Sequence, residues 1–234
     1  MKAEEKVFLR FLEGPDKHFV IPVFQRNYNW KKEHCEQLFN DIVDICKNNY
    51  RTHFLGSIVS VYNDDGFGQE YLIIDGQQRI TTLSLLLLAI HNLLDSKQIS
   101  SNVIIKDKIK YEYLVNKYAT KDYKIKLKSV KEDQKYFSNL INQEKIENMD
   151  SSNIVLNYNF FIDKLKNLEN FSIDEIYKSL SKLMIVAIEL KRGEDDPQLI
   201  FESLNSTGLN LTQADLVRNF ILMRENRDNQ IKFF

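Results

Sequence analysis

The segment 73–94 constrains the fold of this chain more than any other. A β-branched apolar run ends at Asp75-Gly76, and from Ile80 to Leu94 apolar residues fall on nearly every side of a helix. A helix that is apolar on all sides must be buried on all sides. The pattern therefore predicts a strand, a tight turn at Gly76 and a central, buried helix.

The periodicity of apolar residues predicts further elements on both sides of this segment. They are a short helix over 7–12, an edge strand or extended arm over 19–30, a helix after Asn29, a hairpin of His53–Tyr62 with Tyr71–Ile74, a second hairpin of Tyr111–Val115 with Tyr123–Leu127, helices over 129–141 and 153–168, and a strand over 184–190. Helix caps are predicted at Asn29, at Ser129 with Glu132, and at Ser172 with Glu175.

Composition places the chain among ordinary globular proteins. Its net charge is −1, so any binding to nucleic acid must come from a local patch. Cys35 and Cys46 fall in one predicted helix, where they cannot bridge, and this indicates a reducing compartment. The longest apolar run is too short to span a bilayer, and the first residues do not resemble a signal peptide. We therefore expect a cytoplasmic protein that makes no membrane contact.

The turn at Asp75-Gly76 has the residue types of an anion site. A helix start presents unpaired N–H groups and a positive dipole end, and Arg79 adds a planar, permanent cation. Asp75 can hold a metal ion or orient a water. The same residues are also consistent with a plain turn in which Asp75 caps the helix and Arg79 pairs with a nearby acid. Residue types alone do not separate these readings.

Two other stretches carry polar groups beside aromatic rings. The arm places Gln25 and Arg26 close to Tyr28 and Trp30, either as ligand contacts or as a surface charge beside anchoring rings. The stretch 97–135 contains eleven lysines, five acids and four tyrosines. It is typical either of a solvated face or of a surface that follows a nucleic-acid backbone.

Several familiar chemistries are missing from the sequence. It contains no Walker-type lysine loop, no dinucleotide fingerprint and no nucleophile elbow. The four histidines are scattered, with no pair at metal-ligand spacing and no His-Asn-His nuclease pattern. The anion-binding turn, the arm and a polar Asn-Ser-Thr-Gly turn at 205–208 are therefore the candidates for function.

These three candidates and one further segment carry a resemblance to a known family. The segments are Ile-Pro-x-Phe-Gln-Arg-x-Tyr-x-Trp at 21–30, Phe-Leu-Gly-Ser-Ile-Val at 54–59, Ile-Asp-Gly-Gln-Gln-Arg-x-Thr-Thr-Leu at 74–83 and Phe-Glu-Ser-Leu-Asn-Ser-Thr-Gly at 201–208. In this order they resemble the N-terminal domain of GmrSD-type, modification-dependent (type IV) restriction endonucleases, which carries a DGQQR motif. The resemblance implies an α+β fold, with a small mixed sheet of ParB/sulfiredoxin type and a larger helical part.

The resemblance also implies that the chain binds and hydrolyses a nucleoside triphosphate, GTP or another, with Mg²⁺. Asp75 would then be a metal or water ligand, Arg79 a phosphate clamp, and Gln77 and Gln78 would orient the attacking water. The remaining nucleotide contacts would come from Gln25, Arg26, Gly76, Thr81, Asn205 and Thr207. The expected partners are the nucleotide, modified DNA and a nuclease domain or subunit, since the family's His-Asn-His nuclease is not in this sequence.

Two other hypotheses stay open at this point. The chain could be a DNA-binding module that places the same turn on backbone phosphate and hydrolyses nothing. It could also be a structural domain in which Asp75 and Arg79 only pair with neighbours. For the domain organisation we expect a core over 1–95, and a mainly helical part over 96–234 whose strand near 184–190 completes the site.

Overall fold

The computed structural model describes residues 1–64, 68–119, 123–145, 152–191, 194–196 and 200. Within these residues, strands and helices alternate along the chain. The strands are β1 (Lys2–Val7), β2 (Lys17–Val20), β3 (His53–Asp64), β4 (Gln69–Asp75), β5 (Leu127–Lys128) and β6 (Leu183–Leu190). The α-helices are α1 (Phe8–Leu12), α2 (Lys32–Asn48), α3 (Gln77–Asp95), α4 (Lys106–Lys108), α5 (Lys131–Asn142), α6 (Asn153–Lys166) and α7 (Ile173–Leu180), and a π-helix covers Ile109–Leu114.

The six strands form one mixed sheet in the order β1-β6-β3-β4-β2-β5. β3 and β4 form the predicted antiparallel hairpin, β6 lies parallel to β3, and β2 lies parallel to both β4 and β5. The predicted α+β class and the strand near 184–190 are confirmed. Strands from both parts of the chain contribute to the sheet, while the predicted domain boundary near residue 95 stays a prediction.

Helix α3 is the centre of the core, as the sequence predicted. Its isoleucines, its leucines except Leu94 and even Thr82 are buried, and it packs against α6 and the π-helix. Ile58 of β3 and Ile73 of β4 belong to the same buried cluster. The turn between β4 and α3 is therefore fixed to the most completely packed elements of the protein.

The second predicted hairpin is wrong. Residues 109–114 form the π-helix, and a single bridge between Val115 and Ile125 remains of the expected pairing. Ile109, Tyr113 and Leu114 are buried, and the spacing of four and five residues puts them on one helical face. Alternating apolar residues are compatible with both structures, and packing against α3 selects the helix.

Two of the three predicted helix caps are also wrong. α2 has Lys31 as its N-cap, and the Lys31 amide donates to His34 Nδ1 at 3.2 Å, so Asn29 lies before the helix. α5 has Val130 as its N-cap, and Ser129 precedes it. The Ser172–Glu175 capping box is confirmed, because each side chain accepts the other's backbone N–H.

Candidate functional site

The turn that connects β4 to α3 depends on Gly76. This residue has φ +93°, and a Cβ atom there would lie 2.9 Å from Ile58 Cγ1 and 3.1 Å from the Ser57 carbonyl oxygen. Asp75 ends the strand and Gly76 is the N-cap, so Asp75 does not cap the helix. The glycine lets the first turn of α3 lie directly against β3.

Replacing Gly76 with Ala is expected to destabilise the protein more than replacing Gly56 does. Gly56 also has positive φ, at +113°, but the three atoms nearest to its added Cβ, at 3.1–3.2 Å, all belong to the guanidinium of Arg79. A flexible side chain can move, whereas Ile58 and the β3 backbone cannot. We expect Gly76→Ala to cost about 1–3 kcal/mol more in unfolding free energy than Gly56→Ala. Urea denaturation of both variants measures this, and equal losses would contradict the close packing at Gly76.

Asp75 and Arg79 occupy the side of the turn that faces β3. Arg79 Nη1 donates to the Ser57 carbonyl oxygen at 3.0 Å and lies 3.9 Å from Asp75 Oδ2. The side chains of Arg79 and Asp75 are 34% and 28% exposed. An ion pair this long and this accessible contributes little to stability. Both groups are therefore held in place while part of each remains open to a ligand.

Gln78 and Thr82, one helical turn apart, face the arm. Gln78 Oε1 accepts the backbone N–H groups of Asn29 at 3.0 Å and Trp30 at 3.2 Å. Thr82 Oγ1 lies 2.7 Å from the hydroxyl of Tyr28, and Asn157 Nδ2 donates to that hydroxyl at 2.9 Å. This buried network fixes the arm to α3 and α6. In this structure the oxygen of Gln78 holds the arm.

Gln77 and Thr81 form the third side of the helix start and line a narrow cleft with Arg26. Ser129 and Asp133, next to and within the first turn of α5, also line this cleft, as does Gln78. Arg26 is partly buried and makes no hydrogen bond or ion pair with any described residue. The cleft therefore holds an unpaired cation beside the N-terminus of α3.

The predicted site residues are thus divided among three sides of one helix start. Gln25 lies next to them, because its buried Nε2 donates to the Ile74 carbonyl oxygen at 2.8 Å at the end of β4. Asn205 and Thr207 lie outside the described residues. The catalytic and binding roles of all these residues stay predictions.

Sequence reasoning missed three residues that shape the site: Asn157, Ser129 and Asp133. The anchoring role of Tyr28 was one of the two alternatives for the arm, and the structure shows it. The sequence pattern predicts Ser129 as a helix cap and gives Asn157 and Asp133 no role beyond their helices. Asp133 lies 105 positions from Tyr28 in the sequence, yet its Oδ2 accepts the Tyr28 backbone N–H at 2.6 Å. Contacts at this separation leave no local pattern in the sequence.

Asp133 has an unusual titration. Burial raises the pKa of its carboxyl from 3.8 to about 6, although the hydrogen bond from the Tyr28 backbone N–H acts to lower it. The folded protein therefore binds this proton more tightly than the unfolded chain does. The stabilisation is complete below about pH 4 and is lost as the pH rises through 6.

Replacing Asp133 with Asn should remove this pH dependence and keep an acceptor for Tyr28. The unfolding free energy of the wild type, measured relative to Asp133→Asn, is expected to fall by about 2–3 kcal/mol between pH 4 and pH 7. Denaturant titrations at several pH values measure the difference. Glu132→Gln, at the exposed neighbouring position, is the control. A difference that does not change with pH would show that Asp133 titrates normally.

Among the described residues, no group of three or more His, Cys, Asp or Glu side chains is arranged to hold a metal ion. Asp75 offers a partly exposed carboxylate beside the helix start. Mg²⁺ commonly takes one or two protein carboxylates and completes its shell with phosphate oxygens and water. The residues present fit a Mg²⁺ ion that arrives with a nucleotide, rather than one held by the protein alone.

Comparison with known proteins identifies the family. No helix in the described part of the chain combines the length and the apolar character that crossing a membrane requires. Comparison with curated proteins gives no match. The family model described as the GmrSD restriction endonuclease, N-terminal domain, matches residues 8–222. Since this match covers most of the sequence, the chain belongs to the family of GmrSD restriction endonuclease N-terminal domains.

Proposed function

We propose that this chain binds a nucleoside triphosphate at the start of α3 and hydrolyses it. The observation that carries the proposal is the pair of arginines beside an N-terminus that no side chain caps. Arg79 lies on one side of this helix start and the unpaired Arg26 on another. Two guanidinium groups and free backbone N–H groups match the charge and hydrogen-bonding needs of a polyphosphate.

Each side of the helix start has a separate part in this proposal. Arg79 and the N–H groups of the first turn bind phosphate oxygens, and Arg26 closes on them from the arm. Gln77 orients the attacking water, while Gln78 positions the arm because its oxygen already accepts two hydrogen bonds. Gln25 keeps the arm against the end of β4.

Asp75 is the residue that would hold Mg²⁺. The ion, when bound, would neutralise charge on the phosphates and stabilise the leaving oxygen. The carboxylate of Asp75 is suited to this because, among the described residues, its one ion-pair partner is the guanidinium of Arg79, 3.9 Å from Oδ2. Thr81 lies one helical turn after Gln77 and lines the cleft beside it.

We further propose that nucleotide turnover regulates a nuclease domain within a restriction system that acts on modified DNA. The family to which the chain belongs supports this setting. A separate domain or subunit would supply the nuclease. Modified DNA would then be a partner of the complete system.

Calorimetric titration with GTP, ATP, CTP and UTP in the presence of Mg²⁺ tests the binding step. Arg26→Ala and Arg79→Ala should each weaken the affinity at least about tenfold, since each removes a charge-assisted contact. Arg10→Ala, at an exposed position on α1, is the matched control. Full affinity in both test variants would overturn the proposed site.

A second candidate function is DNA binding without hydrolysis, and one surface cluster favours it. Lys117 Nζ lies 5.3 Å from the ring centre of Tyr111 and 5.5 Å from that of Tyr118, whose side chain is 88% exposed. Exposed rings beside lysines suit base stacking and phosphate contact. A salt titration distinguishes the candidates, because a module that follows the DNA backbone loses affinity steeply as salt increases.

A further inference from the structure

A pocket separate from the helix start lies over the sheet, beside α1. Strands β1, β2, β3, β4 and β6 and helix α1 all contribute to its lining. We call it the β1 pocket, after the strand whose Lys2, Glu4 and Lys6 form part of it. About 40 Å³ of it is open to water-sized molecules. A single water needs about 10–15 Å³, so the β1 pocket has room for several waters or for one small tetrahedral anion.

Lys17 brings an ammonium group without a counter-charge to the β1 pocket. The residue is partly buried, and its Nζ donates to the Phe11 carbonyl oxygen at 3.0 Å. It makes no ion pair with a described residue. Burial lowers the pKa of this amine, and the positive charge of Lys6 lowers it further. A bound anion would offset both effects, since it would supply the missing opposite charge.

Two hydroxyl groups belong to the same pocket. Ser60 is 3% exposed, and neither its hydroxyl nor that of Tyr71 makes a hydrogen bond with a described residue. The Ser60 oxygen keeps contact with solvent, in contrast to the sealed oxygen of Ser129. Burial raises the pKa of Tyr71 to about 12, so its hydroxyl keeps the proton at neutral pH. The β1 pocket therefore combines two free O–H donors with the ammonium of Lys17.

Two glutamates determine which anion suits the β1 pocket. Glu4 Oε2 lies 3.4 Å from Lys2 Nζ and 3.1 Å from Lys6 Nζ, so its charge is balanced. Glu189 lines the pocket, and its carboxylate makes no hydrogen bond or ion pair with a described residue. Such a carboxylate repels a fully ionised oxyanion but accepts a hydrogen bond from one that carries a proton. Phosphate carries a proton at neutral pH, whereas sulfate carries none.

We infer that the β1 pocket binds an inorganic phosphate ion. Lys17, Ser60 and Tyr71 donate to its oxygens, and Glu189 accepts a hydrogen bond from its O–H group. A phosphomonoester has the same tetrahedral head and is the other possible source of this chemistry. The inference is independent of nucleotide hydrolysis, because the β1 pocket shares no described lining residue with the cleft beside α3.

The test is calorimetric titration with phosphate, sulfate and methyl phosphate at about pH 7.5 and low ionic strength. The wild type is expected to bind phosphate with a Kd of about 1 mM or tighter, and sulfate at least about tenfold more weakly. Methyl phosphate separates the two sources. It should bind more weakly than phosphate, because above a pKa of about 6 it has lost the proton that Glu189 would accept. Tighter binding of methyl phosphate would assign the pocket to a phosphomonoester instead of the free ion.

Variants connect the binding to individual side chains. Ser60→Ala removes a hydroxyl that has no partner among the described residues, so it should keep the fold and weaken phosphate binding about tenfold or more. Lys17→Met should abolish binding, whereas Lys47→Met, at an exposed position on α2, should not change it. Glu189→Gln should bring the affinity for sulfate to within about threefold of that for phosphate, because the repulsion is removed.

Three results would overturn the inference. The first is no phosphate binding in the wild type at about 10 mM ligand, and the second is equal affinity for phosphate and sulfate. The third is binding that persists in Ser60→Ala and is lost in Arg79→Ala, since the ion would then lie at the start of α3. None of these results contradicts nucleotide binding at the helix start, so the two proposals can fail separately.

Discussion

Asp75→Asn is expected to slow nucleotide hydrolysis about a hundredfold or more while the protein remains fully folded, because it removes the charge that would hold the metal ion. Arg79→Ala should have a comparable effect, since it removes a donor aimed at developing phosphate charge. The ion pair between these residues is 3.9 Å long and partly exposed, so its loss should cost less than about 1 kcal/mol of stability. Steady-state phosphate release, with circular dichroism as a check on folding, measures both effects.

Asp44→Asn, at an exposed position on α2, is the matched control for Asp75→Asn. It makes the same chemical change away from the helix start and should keep full activity. Activity within a factor of about three of the wild type in both Asp75→Asn and Arg79→Ala would contradict the assigned roles, since such a change corresponds to less than 1 kcal/mol. Loss of activity together with loss of the folded state would instead indicate a structural role.

Lys126→Met is expected to destabilise the protein by about 3 kcal/mol, because it leaves buried carbonyl groups without a donor. The side chain of Lys126 is almost completely buried, and its Nζ donates to the carbonyl oxygens of Leu12, Gly14 and Glu112. Burial lowers the pKa of this amine to about 8, so it is still mostly charged at pH 7. One ammonium group therefore ties together three separate segments of the chain.

Lys124→Met provides the control for this prediction. Lys124 is exposed and lies two residues earlier in the same segment, so the change in composition is identical. Urea denaturation at pH 7 should show a change within about 0.5 kcal/mol for Lys124→Met. A loss below about 1 kcal/mol for Lys126→Met would contradict the role of the buried ammonium.

Lys126 also shows where composition misleads. The lysine-rich stretch suggested a solvated face or a nucleic-acid surface, and neither description fits all of its members. Lys126 is buried and structural, Lys106 pairs with Asp95, and Lys117 lies near the rings of Tyr111 and the exposed Tyr118. The sequence shows how many charges a segment carries, but partners from distant segments decide what each charge does.

The strand, turn and helix around Gly76 were predictable because their signals are local. A β-branched run, a glycine and an apolar helix follow one another without interruption, and each matches its own structural preference. β1 was missed for the opposite reason. Its residues are mostly exposed and charged, and pairing with β6 rather than its own pattern makes it a strand.

The residues of the candidate site also fall into a group that local sequence could indicate and a group that it could not. Asp75, Gln77 and Arg79 lie within five consecutive positions, so the helix start brings them together and the sequence could indicate them. Ser129 and Asp133 reach the cleft because α5 packs beside the arm. The contact between Tyr28 and Asp133 joins residues 105 positions apart and has no signature in either segment.

The measurement that tests the central claim most directly is phosphate release from GTP, ATP, CTP and UTP with Mg²⁺, for the wild type and for Asp75→Asn. The account predicts that the wild type turns over at least one of the four, and that Asp75→Asn loses this turnover while keeping its fold. Saturable DNA binding with no nucleotide binding and no turnover in the wild type would contradict it. The start of α3 would then be a contact for backbone phosphate.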